Sequence, residues 1–275
     1  MFYRVWSAFV NYIRAMEPLF TATRFVRYRL TAKTAHGVHS PFVFELLNNV
    51  IRDRTPFYAF RPIESIRSKL LMDNTLLEVT DYGTGAQSGN KRRKVSDIAL
   101  HYLLPAKYGQ LLFRIVNRFQ PKNILELGTS LGISSLYLSA PHRTSTVHTI
   151  EGCPQTAALA TANFQRFKAR NIEQRVGEFS TVLPELLGTI KHVDLAYLDG
   201  NHQYRPTLDY FETLLPFCNE NTVLIFDDIH WSRGMENAWE EIKKHPDVRL
   251  TIDLFKMGFV FFRKEGPPQH FTLLY

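Results

Sequence analysis

The sequence predicts an α/β fold in which a mostly parallel sheet carries helices on both faces. From residue 106 onward, short apolar runs typical of buried strands alternate with segments whose apolar residues recur at helical spacing. Strands that alternate with helices form parallel sheets, because each helix returns the chain to the end where the next strand begins. The 275 residues, 45% of them hydrophobic, suffice for one such domain and a smaller appendage.

Seven strands are predicted in this part of the chain. Each is an apolar run bounded by turn-forming or charged residues, and the third is the weakest. The last two lie close together around Lys256-Met257-Gly258 with no helix between them, so we expect them to pair antiparallel. The predicted strands are 123–127, 146–150, 172–176, 193–198, 222–226, 249–255 and 259–262.

Helices are predicted before and between these strands. Tyr108, Leu112, Ile115 and Phe119 recur at helical spacing, and Pro121 ends that helix. The other predicted helices cover 132–139, 154–169, 181–187, 205–215 and 233–245.

The first 105 residues differ from residues 106–275 and are predicted to form a mainly helical extension. Residues 1–20 are apolar and aromatic with charged interruptions, and no small-residue cleavage site follows them. This pattern predicts an amphipathic helix rather than a cleaved leader, and the helix either covers the core or lies on a membrane surface. Residues 81–94 combine three glycines with the basic run Lys91–Lys94, which predicts a loop that could act as a lid over an anionic ligand.

Composition narrows the partners and the compartment. A formal net charge of +7 favours anionic partners such as nucleic acid, nucleotide conjugates or anionic lipid headgroups, and an ordinary basic surface is the alternative. The two cysteines, Cys153 and Cys218, form no CxxC pair, so we expect no cysteine zinc site, no disulfide framework and a reducing, cytoplasmic location. No apolar stretch reaches the length of a membrane-spanning helix. The oligomeric state stays open, a homodimer included.

A glycine-containing turn follows the first predicted strand. The segment 124–135 (ILELGTSLGISS) begins as a strand, turns at Gly128 and enters a helix at Gly132, so that its backbone can approach a ligand closely. Glu151 ends the next strand about twenty residues on, where a carboxylate can bind both hydroxyls of a ribose. A nucleophilic Ser130 in the G-x-S-x-G run is the competing interpretation, which the lack of a suitable acid–histidine order disfavours.

The run ELGTSLG at 126–132 resembles the first motif of class I S-adenosylmethionine (SAM)-dependent methyltransferases, in the variant of catechol and caffeoyl-CoA O-methyltransferases. The run VHTIE at 147–151 is similar to their second motif, and the resemblance covers about residues 106–265. It implies a seven-stranded, doubly wound Rossmann-like sheet of order 3-2-1-4-5-7-6, with SAM over the first loop. The cofactor-binding residues that it implies are Glu126, Gly128, Ser130, Gly132 and Glu151, with Gly177, Glu178 and Phe179 beside the adenine and Asp199 at the end of the fourth strand.

Acidic residues end two adjacent predicted strands, Asp199 on one and Asp227 and Asp228 on the next. Such strand ends border the ligand crevice of an open α/β sheet. Three carboxylates gathered there repel one another unless a cation is bound, and their oxygens suit Mg²⁺, with Mn²⁺ or Ca²⁺ as alternatives. The resemblance supports a metal, because metal-dependent O-methyltransferases carry acidic residues at these places. The alternative, in which Asp199 only contacts SAM or caps a helix and the pair is buried in hydrogen bonds, stays open.

Three further residues near the acidic clusters are candidates for the reaction. His202 lies where the catechol enzymes carry a lysine base, and a neutral imidazole can accept a proton near pH 7. A surface-loop role for His202 stays open. His230 and Trp231 follow the acidic pair and are predicted to line the acceptor pocket, and packing under the loop is the alternative for Trp231.

The predicted function is SAM-dependent O-methylation of a small-molecule acceptor, with His202 and Asp199 as catalytic residues and Mg²⁺ as an additional cofactor. A nucleic-acid methyltransferase is favoured by the net charge, but no Asn-Pro-Pro-aromatic run is present and Cys153 is misplaced for cytosine methylation. A non-catalytic module with the same fold is the third alternative. The sequence does not identify the acceptor, which could be a catechol, a sugar diol, a lipid or a nucleotide conjugate.

Overall fold

The computed structural model describes residues 18–80 and 91–275. Most of the amphipathic helix predicted for residues 1–20, and residues 81–90 of the predicted lid, lie outside the described residues.

The N-terminal part combines helices with one hairpin. Its elements are α1 (Pro18–Thr31), α2 (Pro41–Leu46, continued by a π-helical turn at Leu47–Ile51), α3 (Phe60–Leu71), β1 (Leu76–Val79), β2 (Lys91–Lys94) and α4 (Val95–His101). The basic run that we expected in a loop is therefore the strand β2, paired antiparallel with β1. Two side-chain contacts offset its charge, since Arg92 lies 3.2 Å from a carboxylate oxygen of Glu78 and Arg93 lies over the ring of Tyr102.

The rest of the chain forms an eight-stranded sheet with its helices. The elements are α5 (Ala106–Phe119), β3 (Asn123–Leu127), α6 (Ile133–Ser139), β4 (Thr146–Glu151), α7 (Pro154–Phe167), β5 (Ile172–Val176), α8 (Phe179–Ile190), β6 (Leu195–Leu198), α9 (Tyr204–Leu214), β7 (Val223–Asp227), α10 (Arg233–Lys244), β8 (Leu250–Asp253), β9 (Met257–Phe261) and β10 (Gln269–Thr272). The spatial order is β5-β4-β3-β6-β7-β9-β8-β10. Strands β3 to β7 are parallel, β9 is antiparallel to both of its neighbours, and β10 is parallel to β8.

The seven predicted strands occur in the predicted order, 3-2-1-4-5-7-6 when counted from β3, and β10 adds an eighth at the edge. We did not predict β10 because it mixes polar and apolar residues directly after Pro267 and Pro268. Strand β8 ends earlier than predicted. The Asp253 carboxylate accepts a hydrogen bond from the backbone N–H of Phe255 at 2.7 Å, and Phe255 has a φ of +70°, so the chain turns out of the strand.

Both faces of the sheet are buried, which explains why its central strands are apolar without alternation. On β3, Ile124 belongs to a core that includes α2 and α5, and Leu125 belongs to a core on the opposite face with α8, α9 and α10. A third cluster joins Ile63 of α3 and Ile98 of α4 to Leu136 of α6. The described residues before position 106 thus share cores with the rest of the chain, and a domain boundary at residue 105 stays a prediction.

Helix α1 is bonded to the residues that follow the last strand, β10. The hydroxyl of Tyr28 donates to the carbonyl of Leu273 at 2.6 Å and accepts from the N–H of Tyr275 at 2.8 Å. Burial raises the pKa of Tyr28 to about 12, so the hydroxyl keeps its proton. The ring of Tyr28 also packs 5.3 Å from that of Phe255, which brings α1 against the turn between β8 and β9.

Within residues 18–80 and 91–275, none of the helices combines the length and the apolar character that crossing a membrane requires.

Candidate active site

The loop between β3 and α6 lies where the parallel strands end. Gly128 has a φ of +99°, and a Cβ at this position would lie 2.0 Å from the carbonyl oxygen of Asp199. Only glycine therefore lets the end of β3 approach the end of β6 this closely. Gly132 has a φ of +84°, and a Cβ there would meet the ring of Phe164 at 2.5 Å. Both glycines singled out in the sequence are thus required by the backbone of this loop.

Glu151, the last residue of β4, faces this loop. Its carboxylate accepts hydrogen bonds from the N–H of Ser130 at 2.7 Å, the N–H of Cys153 at 2.9 Å and the hydroxyl of Thr156 at 3.2 Å. Burial raises the pKa of Glu151, although these donors oppose the shift. The structure therefore brings together Ser130 and Glu151, as a ribose-binding role would require.

The hairpin of β1 and β2 reaches the same place. The N–H of Glu78 donates to the side-chain oxygen of Gln155 at 2.6 Å, and the N–H of Thr80 donates to the sulfur of Cys153 at 3.5 Å. The end of β1 is therefore held beside the turn that follows Glu151.

Glu126 lies beneath the loop, fully buried. One carboxylate oxygen accepts hydrogen bonds from the hydroxyls of Ser135 and Thr149, the latter at 2.6 Å, while the other has no partner among the described residues. Burial raises the pKa of Glu126 to about 7 against the effect of these donors. This side chain thus links β3, β4 and α6 underneath the loop.

The residues predicted beside the adenine follow β5. Gly177 has a φ of +153°, and its N–H donates to the carbonyl of Glu151 at 3.0 Å. Glu178 is exposed, and Phe179 begins α8. The Phe179 ring touches Gly200, where a Cβ would approach it to 2.5 Å. Phe179 therefore closes the space between the ends of β5 and β6.

Asp199, His202 and Asp228 converge at the ends of β6 and β7. The Nε2 atom of His202 lies 3.5 Å from Asp199 Oδ1 and 3.9 Å from Asp228 Oδ2. Each of the three residues offers one metal-binding atom, and these atoms lie within 4.8 Å of one another. The hydroxyl of Tyr197 donates to Asp199 Oδ2 at 3.1 Å, which fixes that carboxylate from the opposite side.

The protonation of His202 and that of Asp199 depend on each other. Burial alone would lower the pKa of His202, but the hydrogen bond to Asp199 and the charge of Asp228 outweigh it and raise the pKa. Burial would likewise raise the pKa of Asp199, and the hydrogen bond and charge of His202 outweigh it and lower the pKa. Asp199 and His202 therefore stabilise each other in their charged forms.

Asp227 does not face this group but faces Lys256. The ammonium nitrogen of Lys256 lies 2.6 Å from Asp227 Oδ2 and 2.5 Å from Asp228 Oδ1. Asp227 is only 2% exposed, and its Oδ1 has no partner among the described residues. Burial raises the pKa of Asp227 well above its usual range, with Lys256 opposing the shift and the neighbouring aspartates adding to it.

Sequence reasoning missed Lys256. A signal for it existed, because Lys256 is the one charged residue of the segment 254–262, between apolar strands that pair beside β7. The register places its neighbour Met257 opposite Asp227. A lone charge in an apolar hairpin next to an acidic strand end indicates an ion pair across the strands.

His230 and Trp231 lie beside the group in different ways. The Nε2 atom of His230 is 2.8 Å from Asp253 Oδ2, and its ring stacks on that of Phe255. Burial opposes but does not prevent a rise of its pKa to about 9, which Asp253 and Glu236 cause. The ring of Trp231 lies 6.1 Å from that of His202. Trp231 thus lies next to His202, whereas His230 is bonded to Asp253 at the end of β8.

Known proteins share this fold and parts of this sequence. Residues 125–229 match a protein family described as a methyltransferase domain. A catechol O-methyltransferase from Niastella koreensis is 28% identical over 124 residues, which are 44% of this chain and 55% of that protein. The chain therefore spans little more than half the length of this curated relative.

Solved structures extend the likeness to most of the chain. The O-methyltransferase TomG of Streptomyces achromogenes, in complex with SAM, is 22% identical with a TM-score of 0.52, over 59% of this chain and 82% of that chain. An O-methyltransferase from Bacillus cereus, in complex with SAH, is 17% identical with a TM-score of 0.53, over 80% of this chain and 97% of that chain. The chain thus shares the fold of these O-methyltransferases, and its residues 125–229 match the methyltransferase-domain family.

Proposed function

We propose that this chain is a SAM-dependent O-methyltransferase that acts on a hydroxyl group of a small-molecule acceptor with the help of a divalent cation. The observation that carries the proposal is the convergence of Asp199, His202 and Asp228 directly beside the glycine loop after β3. A methyl donor over that loop and an acceptor at that group would be neighbours.

The loop and Glu151 support the cofactor part of the proposal. Gly128 leaves the backbone of the loop without a side chain where a ligand can approach it. The Glu151 carboxylate lies 2.7 Å from the backbone nitrogen of Ser130, where it can accept hydrogen bonds from ribose hydroxyls. The ring of Phe179 offers an apolar surface for the adenine. Complexes of TomG and of the Bacillus cereus enzyme with SAM and SAH support the choice of this cofactor.

The donor set of Asp199, His202 and Asp228 fits a divalent cation, for which the resemblance suggests Mg²⁺. The side chains of all three are less than a quarter exposed, and their donor atoms face one another. A cation bound there would lower the pKa of an acceptor hydroxyl and hold it in place. Asp227, which the sequence predicts as a ligand beside Asp199 and Asp228, lies outside this donor set and contacts Lys256 at 2.6 Å.

His202 supports a second route to the same chemistry. Its Nε2 atom lies 3.5 Å from Asp199 Oδ1, and Asp199 can stabilise the imidazolium that forms when His202 takes an acceptor proton. The two roles of His202, ligand and base, exclude each other because both use this nitrogen. Chelation distinguishes them, since only the first route loses methyl transfer in EDTA.

The remaining expectations on partners and location stay predictions. They are an anionic acceptor, homodimer formation, a cytoplasmic location and a lid formed by residues 81–94. A nucleic-acid substrate gains no support from β2, because Arg92 and Arg93 face Glu78 and Tyr102 within the N-terminal part.

Calorimetric titration with SAM tests the cofactor site. Glu151→Gln should bind SAM at least about tenfold more weakly than the wild type, since a ribose bidentate contact to a charged group contributes about 1.5–3 kcal/mol. The matched control is Glu185→Gln, an exposed position on α8, which should leave the affinity unchanged. Equal affinity of Glu151→Gln and wild type for SAM would refute the assigned cofactor site.

A further inference from the structure

Lys256 and the acidic pair form a buried ion cluster with a defined geometry. The lysine side chain is 11% exposed and those of Asp227 and Asp228 are 2% and 10% exposed. Its ammonium lies within hydrogen-bonding distance of one oxygen from each carboxylate. A cation therefore already stands between the two aspartates, and this chain supplies it.

The position of Lys256 affects which carboxylates can bind a metal. A divalent ion coordinated by Asp227 Oδ2 and Asp228 Oδ1 would stand against the ammonium, and like charges at such a separation repel strongly at a buried site. Asp228 avoids this conflict because it turns Oδ1 to Lys256 and Oδ2 toward His202. Asp227 has no such second contact among the described residues.

The third donor is consequently a nitrogen. His202 directs Nε2 at the two remaining carboxylates, Asp199 and Asp228. Imidazole suits first-row transition ions, whereas Mg²⁺ favours oxygen ligands throughout.

We infer that the Lys256 ammonium excludes Asp227 from the metal ligands. The metal site then consists of one imidazole and two carboxylates, and this site binds a transition ion such as Mn²⁺ or Co²⁺ in preference to Mg²⁺. The inference rests on the proposed function in that it concerns the ion of the same site. Lys256 acts through Asp228 and is a positioning residue.

Metal binding by two matched asparagine variants tests the ligand set. The full chain is stripped of metal and titrated with Mn²⁺ by calorimetry. Asp228→Asn should lower the affinity by about 10–100-fold, and Asp227→Asn should leave it within about threefold of the wild type, because only a ligand or its support costs that much. Comparable losses in both variants would overturn the inference in favour of a three-carboxylate site.

The nature of the third ligand has its own readout. Pulsed EPR of bound Mn²⁺ should show coupling to a ¹⁴N nucleus, and His202→Asp should abolish that coupling. The same variant should also reduce the ratio of the affinity for Mn²⁺ to the affinity for Mg²⁺. Wild-type protein without nitrogen coupling, or with equal affinity for the two ions, would contradict the inference.

Lys256→Met provides the converse test. Removing the ammonium frees Asp227 and removes a like charge beside the ion, so the affinity for Mg²⁺ should rise by about tenfold or more. Lys256→Arg, which keeps the charge, should not produce this rise. If Lys256→Met does not fold, the comparison of Asp227→Asn with Asp228→Asn tests the inference instead. Titration of each sample with SAM keeps the two proposals apart: a folded wild type that binds SAM but no divalent ion overturns the metal inference and leaves the cofactor site standing.

Discussion

At the scale of single residues, Asp227 and Asp228 are adjacent and chemically identical but have different surroundings. Asp227 is the last residue of β7 and is buried beside the strand β9, whereas Asp228 has a φ of +54° and turns its carboxylate toward both Lys256 and His202. The sequence predicts that the acidic strand ends meet, since parallel strands end at one edge. It cannot predict which oxygen faces which cation, because that depends on a backbone turn and on a hairpin about thirty residues away.

The buried Glu126 should make stability depend on pH. A carboxyl whose pKa is about 7 in the folded protein and 4.5 in the unfolded chain binds its proton more tightly when folded, so its contribution is present below pH 4.5 and is lost as the pH rises through 7. Relative to Glu126→Gln, the wild-type free energy of unfolding should fall by up to about 3 kcal/mol between about pH 4.5 and pH 8. Urea unfolding of both proteins across this range measures it, and a difference that does not vary with pH would contradict the assigned pKa.

The glycine loop should tolerate no side chain at Gly128. Gly128→Ala would combine a positive φ with a Cβ in collision with the Asp199 carbonyl, so we expect a loss of about 1–3 kcal/mol in stability and a weaker affinity for SAM. Gly188 is the internal control, because it lies within α8 with open space around its Cβ position. Thermal unfolding should show Gly188→Ala to be neutral or stabilising. Equal effects of the two substitutions would remove the steric argument.

At the scale of elements, the strands and helices from β3 to β9 can be predicted from local sequence patterns, while the strands β2 and β10 cannot. Central strands are apolar because both of their faces are buried, and that pattern is visible in the sequence. Strand β2 is a run of four basic residues and β10 mixes polar with apolar ones, so each becomes a strand only through its partner, β1 or β8. The early end of β8 similarly depends on one side chain, Asp253.

Asp253 should hold the turn that carries Lys256. Its two carboxylate oxygens bond the N–H of Phe255 and the ring of His230, both at under 3 Å. Asp253→Ala should therefore lower the free energy of unfolding by about 1–3 kcal/mol. Asp247→Ala, in the exposed segment before the same strand, should change stability by less than about 0.5 kcal/mol. Chemical denaturation compares the two, and a silent Asp253→Ala would show that the turn is set by other contacts.

At the scale of the whole molecule, the proposed cofactor side of the site is predictable from the sequence and the proposed acceptor side is not. Gly128, Gly132 and Glu151 lie within one β-α-β segment, so their spacing along the chain forms a pattern that can be recognised in the sequence. Near the proposed acceptor side, the turn between β8 and β9 packs against α1, whose Tyr28 contacts Phe255 from the opposite end of the chain. Contacts between segments more than 200 residues apart leave no local pattern, which is why the acceptor itself could not be inferred.

Transfer of an isotope-labelled methyl group from SAM to a fractionated metabolite extract is the most direct test of the account. We expect the wild-type chain, supplied with Mn²⁺, to label a small hydroxylated molecule. Asp228→Asn should bind SAM normally but give no labelled product, because Asp228 belongs to the acceptor side of the site. Label found only in the nucleic-acid fraction, label in no fraction despite SAM binding, or undiminished transfer by Asp228→Asn would contradict the account.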